Sequence, residues 1–147
     1  MTNIAALPFL PDAVIFDMDG LMIDSERVSL ACWSQAADEF GLGLDETVFL
    51  RMVGLGDRDT HALLRAQGIE DSVIEAVAAR CHELYEARTQ TGLPLRPGIL
   101  ELLELLKAHA VPRAVATTTR QPRANRKLAA GGLLPYFDAG VTSGGVA

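Results

Sequence analysis

The 147-residue chain has little cysteine, little lysine and no long apolar run, and each shortage narrows what it can be. Its two cysteines, Cys32 and Cys81, lie far apart, with no neighbouring cysteine or second ligand at metal spacing. That excludes a disulfide framework and a zinc motif, and both read as buried free thiols, since free cysteine behaves as a small hydrophobe. No apolar stretch approaches the roughly 20 residues that span a bilayer, and the segment before Pro11 lacks the basic start and long apolar core of a signal peptide. No membrane partner is expected, and the expected location is cytoplasmic. Basic residues are also outnumbered, 13 Lys and Arg against 19 Asp and Glu, for a net charge of −6. Without a basic face to attract a polyanion, nucleic acid is not an expected partner.

What remains is a globular composition, 49% hydrophobic and 22% charged, sufficient for one real core with an insertion. The periodicity divides the chain. Leu30, Trp33, Ala37 and Phe40 recur at helical spacing over Ser25 to Phe40, with Asp24 or Ser25 as cap and Gly41 as stop. Short helices are expected from Asp45 to Arg51 and from Arg58 to Gln67, closed by Gly68. Ser72 to Arg88 carries a stripe of Val73, Val77, Cys81 and Leu84. No strand signal interrupts this block.

Beyond Gly92, Pro97 is expected at the first position of a leucine-rich helix over Ile99 to Ala108. Pro112 to Ala116 is an apolar run without helical period that ends in Thr117-Thr118-Thr119. A helix opened by Pro122 runs to Ala130 before Gly131 and Gly132, and Ala139 to Thr142 reads as a strand. With Ala13 to Phe16 as a buried first strand, the order is that of a parallel α/β sheet.

The first strand carries the chemistry. Val14-Ile15-Phe16 runs straight into Asp17-Met18-Asp19-Gly20, two carboxylates at the carboxyl end of a strand, where open α/β sheets place their ligands. Taken alone, such a turn is more often a surface loop or helix cap. The longer stretch Asp17-Met18-Asp19-Gly20-Leu21-Met22-Ile23-Asp24-Ser25-Glu26 resembles the first motif of the haloacid dehalogenase superfamily. The branch is that of phosphoglycolate phosphatase, sugar-phosphate phosphatases and β-phosphoglucomutase. Val115-Ala116-Thr117-Thr118-Thr119 is similar to the second motif, and Arg96-Pro97-Gly98, Phe137-Asp138 and Val141-Thr142 resemble neighbouring segments.

The resemblance implies a Rossmann-like parallel-sheet core over residues 1–23 and 92–147, incomplete at its C-terminus, with an inserted helical cap over 24–91. It implies a Mg²⁺-dependent phosphomonoester hydrolase acting on a small phosphorylated metabolite of the sugar phosphate or phosphoglycolate type, through an aspartyl-phosphate intermediate. A β-phosphoglucomutase-like phosphotransferase and a non-catalytic remnant that binds metal or phosphate are the alternatives. A positioned carboxylate divides ester hydrolysis into two easier steps, and Asp17 takes that role. A second carboxyl group can protonate the leaving oxygen and later deprotonate water, which is assigned to Asp19. A hard cation must relieve the repulsion between acids and phosphate, with Asp17 and, by analogy with the family, the Asp19 main-chain carbonyl as ligands. Thr117 and the Thr118 backbone N–H would hold the phosphoryl oxygens, and Gly20 would let the backbone turn beside the metal.

Other polar residues carry less. Asp24 reads as an N-cap rather than a ligand, Arg120 as a solvated loop residue as readily as a phosphate contact, and His61, His82 and His109 share no ligand spacing. In the cap, Val53 and Asp57 flank the glycine turn where a mutase-like relative carries basic residues, leaving Arg51 and Arg58 to meet a second anionic group. Family members continue past a segment like Val141 to Ala147 into a lysine motif and an acidic pair. Lys107 and Lys127 are the chain's only lysines, and both fall inside expected helices. Severely reduced activity is therefore expected of this chain alone, together with an unpaired edge on the first strand that invites self-association. A fragment of a longer enzyme is the favoured explanation, ahead of a truncated gene product or an exchange between copies.

Overall fold

A computed structural model describes residues 9–137, and the backbone alone of 139–142 and 145–146. In chain order the elements are β1 (Val14–Asp17), α1 (Ser25–Glu39), α2 (Glu46–Leu50), α3 (Asp57–Ala66), α4 (Asp71–Thr91), α5 (Ile99–Ala108), β2 (Arg113–Ala116), α6 (Arg123–Ala130), β3 (Ala139–Thr142) and β4 (Gly145–Val146). A 3-10 turn over Leu134–Tyr136 lies between α6 and β3. The chain divides into two units, one running to Met22 and resuming at Arg96, the other formed by Ile23–Leu95.

The first unit is α/β. Its strands lie in the order β1-β2-β3-β4, with β1, β2 and β3 parallel and β4 antiparallel to β3. Among the described strands β1 has a neighbour on one side only. Parallel pairing sets Phe16 beside Val115 and Asp17 beside Ala116, so the segments leaving β1 and β2 start at the same level. Phe16 and Val115 are buried, and the Phe16 ring meets Phe137 edge-on, with centroids 5.8 Å apart. The first strand is less buried than expected. Strand side chains alternate between faces, and Ile15, on the face opposite Phe16, is 72% exposed.

Helix α5 buries Ile99, Leu103 and Leu106 at helical spacing, and leaves Leu100, Leu102 and Leu105 on its outer side. Pro97 falls outside this helix rather than at its first position. Gly98 takes the N-cap with φ of 85°, a left-handed conformation that proline, fixed near −65°, cannot adopt.

The second unit is helical. Helix α1 sets Val28, Cys32 and Ala36 on one buried stripe, while Ala37 joins Val48, Phe49 and Met52 of the α2 region, Leu63 and Leu64 of α3, and Ile74 of α4 in one cluster. Leu30 and Trp33 pack against that cluster, whereas Phe40 follows the last helical residue and is exposed. The stripe on α4 is centred on Ile74, Val77, Cys81 and Tyr85. Val73 and Leu84, expected on that stripe, flank it half-buried, because over the 21 residues of α4 the period of 3.6 carries the buried line through Ile74 and Tyr85. Asp45 caps α2 through a bond accepted from the Thr47 N–H at 2.8 Å. Asp24 occupies the N-cap of α1 without a side-chain capping bond. Its carboxylate lies 3.9 Å from Arg27, and its N–H donates to the Pro94 carbonyl at 2.9 Å. That bond and an antiparallel bridge between Ile23 and Leu95 join the two ends of the helical unit. Cys32 and Cys81 are buried free thiols.

Candidate active site

The site residues of the α/β unit come from the segments that leave β1 and β2. Asp17, the last residue of β1, is exposed, and its Oδ1 accepts the Met18 N–H at 2.8 Å. The chain then turns back: Met18 is fully buried, Gly20 takes φ of 77°, and the Met22 N–H donates to the Met18 carbonyl at 3.0 Å. A side chain at Gly20 would be strained in that conformation, which accounts for a glycine directly after the acids.

Asp19 is the half-buried member of the pair, with 32% of its side chain exposed. Thr119 Oγ1 donates to its Oδ2 at 2.7 Å. The ammonium of Lys127, on α6, donates to its Oδ1. Lys127 is 7% exposed, and among the described residues it is the only buried charged residue. Burying an ammonium costs several kcal/mol unless a counter-charge and hydrogen bonds replace its water. Asp19 supplies such a bond in its charge-assisted form.

Thr117 holds the neighbouring turn: its Oγ1 accepts the Thr119 N–H at 3.1 Å, which fixes the backbone that aims the Thr119 hydroxyl at Asp19. The contacts thus run from Thr117 through Thr119 to Asp19 and Lys127, while Asp17 is set by strand register one residue before the level of Thr117. Thr118 and Arg120 are exposed in the same segment. Two members of the arrangement, Thr119 and Lys127, were missed by sequence reasoning. Thr119 had no signal beyond its place in a threonine run. Lys127 had one: it shares the buried stripe of α6 with Ala124 and Leu128, and a cation on an apolar face needs a partner.

The donor set suits a hard cation in part. Among the described residues no group of three or more His, Cys, Asp or Glu could hold a metal ion. Mg²⁺, however, keeps several waters and uses one or two carboxylates with substrate oxygens. The Asp17 carboxylate fits that use. Each oxygen of the Asp19 side chain accepts a hydrogen bond, from Thr119 at one and from Lys127 at the other.

A family profile described as Haloacid dehalogenase-like hydrolase matches residues 14–146. The chain belongs to that family. Within it, a Thermotoga maritima protein named phosphorylated carbohydrates phosphatase is 34% identical over 128 residues, 86% of this chain and 59% of that protein. The tyrosine-protein kinase PtkA of Mycobacterium tuberculosis is also 34% identical, over 92% of this chain and 46% of its own. A solved structure of a candidate β-phosphoglucomutase from Thermotoga maritima superposes with a TM-score of 0.74 at 33% identity, covering 90% of this chain and 61% of the other. This haloacid dehalogenase-like chain thus spans about half to three-fifths of the length of these relatives. Among its described residues no helix is long and apolar enough to cross a membrane.

Proposed function

We propose that the chain carries the nucleophile half of a Mg²⁺-dependent phosphomonoesterase site for a small phosphorylated metabolite, of the sugar phosphate or phosphoglycolate class. The observation that carries this reading is the pair of acids at the end of β1, in which Asp17 is exposed while Asp19 is held by Thr119 and Lys127. Two carboxylates in different environments suit different roles. Asp17 attacks phosphorus, the bond to the ester oxygen breaks with its electron pair on that oxygen, and the oxygen takes a proton from the Asp19 carboxyl group. Water then attacks the aspartyl phosphate and gives a proton back to Asp19. The bond to Asp17 breaks, which restores both side chains and frees inorganic phosphate.

Mg²⁺, when bound, would neutralise charge between Asp17 and an incoming phosphate, held by the Asp17 carboxylate and the Asp19 main-chain carbonyl. Thr117 and the Thr118 N–H are proposed to receive the phosphoryl oxygens, beside the Gly20 turn. Family membership and likeness to a phosphatase of phosphorylated carbohydrates support the reading.

The test is phosphate release from an aryl phosphate by the 147-residue chain and by Asp17→Asn, each with and without chelator. Weak release that disappears in Asp17→Asn and with chelator is expected. Equal turnover in the two proteins would remove Asp17 as nucleophile. The likeness to a candidate β-phosphoglucomutase favours a phosphotransferase as the second reading. Isomerisation of a sugar phosphate without net phosphate release would establish it in place of hydrolysis.

A further inference from the structure

We infer that Lys127 is a positioning residue for Asp19, one that acts on the reaction through that carboxyl group and not by touching substrate; the inference rests on the hydrolase reading and adds a residue to it. Three observations support it. The lysine is 7% exposed in a chain with only one other lysine, the exposed Lys107. Its ammonium donates to Oδ1 of Asp19, while the hydroxyl of Thr119 takes Oδ2. Its backbone lies on α6, where it shares a buried stripe with Ala124 and Leu128, and the burial of the lysine itself restricts its flexible stem.

The arrangement does what a general acid and base requires. A carboxyl group with one side chain bonded to each oxygen cannot rotate freely about its Cβ–Cγ bond, because rotation would break both bonds at once. Misplacing a reacting group by about 1 Å can cost roughly 10²-fold in rate. Replacing Lys127 with an apolar residue leaves only Thr119 to orient the group, and a large share of that loss follows. Arginine can still donate to Oδ1, so it retains part of the restraint despite its different shape.

A mutant cycle on aryl phosphate hydrolysis separates positioning from general damage. Lys127→Met is expected to lower kcat by about 10²-fold with KM within about twofold, and Lys127→Arg to recover part of it. In an Asp19→Asn background, Lys127→Met should cost less than about threefold, because the proton-transferring carboxyl group it positions is already gone. The ammonium resonances of the two lysines give a readout that needs no turnover. The Lys127 signal should be slowly exchanging and should shift or vanish in Asp19→Asn.

Equal factors in the two backgrounds, or a Lys127 signal that Asp19→Asn leaves unchanged, would overturn the positioning role and leave the hydrolase reading standing. No turnover by the unsubstituted chain, with a lysine signal that does respond to Asp19→Asn, would overturn the hydrolase reading. The pair would then be a structural ion pair only. If Asp19→Asn alone fails to fold because it strands a buried cation, the Lys127→Met/Asp19→Asn double variant should regain the fold. Its failure to do so would count against the pairing.

Discussion

The two units handle charge in opposite ways. In the helical unit, the charged pairs Arg80 with Glu39 and Arg65 with Asp71 are solvent-exposed, and the buried cluster of Ala37, Val48, Phe49, Met52, Leu63, Leu64 and Ile74 is wholly apolar. In the α/β unit an ammonium is buried against a half-buried carboxylate, while apolar Ile15, Leu100 and Leu105 face outward. A surface pair contributes little to stability, whereas breaking a buried pair costs several kcal/mol. Charge is therefore buried where the proposed chemistry needs fixed orientation, and kept in water where the fold alone is at stake.

The contrast breaks most sharply at Asp17. Asp17→Asn should lower phosphate release by on the order of 10³-fold or more. Because the residue is exposed, its unfolding free energy in urea should stay within about 0.5 kcal/mol of the unsubstituted chain. The reverse result, intact turnover with lost stability, would make Asp17 a structural residue. In the helical unit, Leu64→Ala should do the opposite. Leu64 is 1% exposed within the apolar cluster, so its truncation should cost about 2–5 kcal/mol in urea unfolding. A cost below about 1 kcal/mol would mean that the cluster is not tightly packed.

Much of this division was legible in the sequence, for a physical reason. Helices α5 and α6 fall where periodicity and turn residues put them, since Gly98 stands directly before the first and Gly131 and Gly132 directly after the second. Asp17 and Asp19 were legible because two acids at the end of an apolar run have no packing use. The 3-10 turn over Leu134–Tyr136 and strand β4 were not foreseen, being three residues and two residues long and too short to show any period. Lys127 was legible as a helical residue but not as a partner of Asp19. Local pattern reports that a position faces inward, and only the parallel register of β1 and β2, with α6 following, brings residues 108 apart in sequence into contact.

The helical unit's thiols should give a smaller effect, confined to alkaline solution. Burial pushes Cys81 up from 9.0 to about 12, with Cys32 close by adding to the rise, and burial raises Cys32 as well. At pH 8 both should react with a thiol reagent only as fast as the chain unfolds, and both at once in denaturant. For Cys81 the folded state holds its proton more tightly than the unfolded state. Its contribution to stability is full below about 9, and is lost as the pH rises towards 12. Rapid labelling of the folded chain at pH 8 would contradict the burial of both residues.

The smallest effect belongs to the surface pair. Arg80 donates to Glu39 through Nε at 2.6 Å, and the bond holds the Glu39 carboxyl below its ordinary value of 4.5, with a further bond from Gln35. Because the folded-state value is lowered, the stability that Glu39 adds is present above 4.5 and fades as the pH falls through the lower, folded value. Arg80→Ala should move the melting temperature by no more than about 2 °C near neutral pH, and by less in high salt, where exposed pairs are screened. In acid the difference should vanish, because Glu39 is then protonated in both proteins. A loss at neutral pH as large as that of Leu64→Ala would erase the contrast, since it would mean that charge supports the helical unit as strongly as its apolar cluster does.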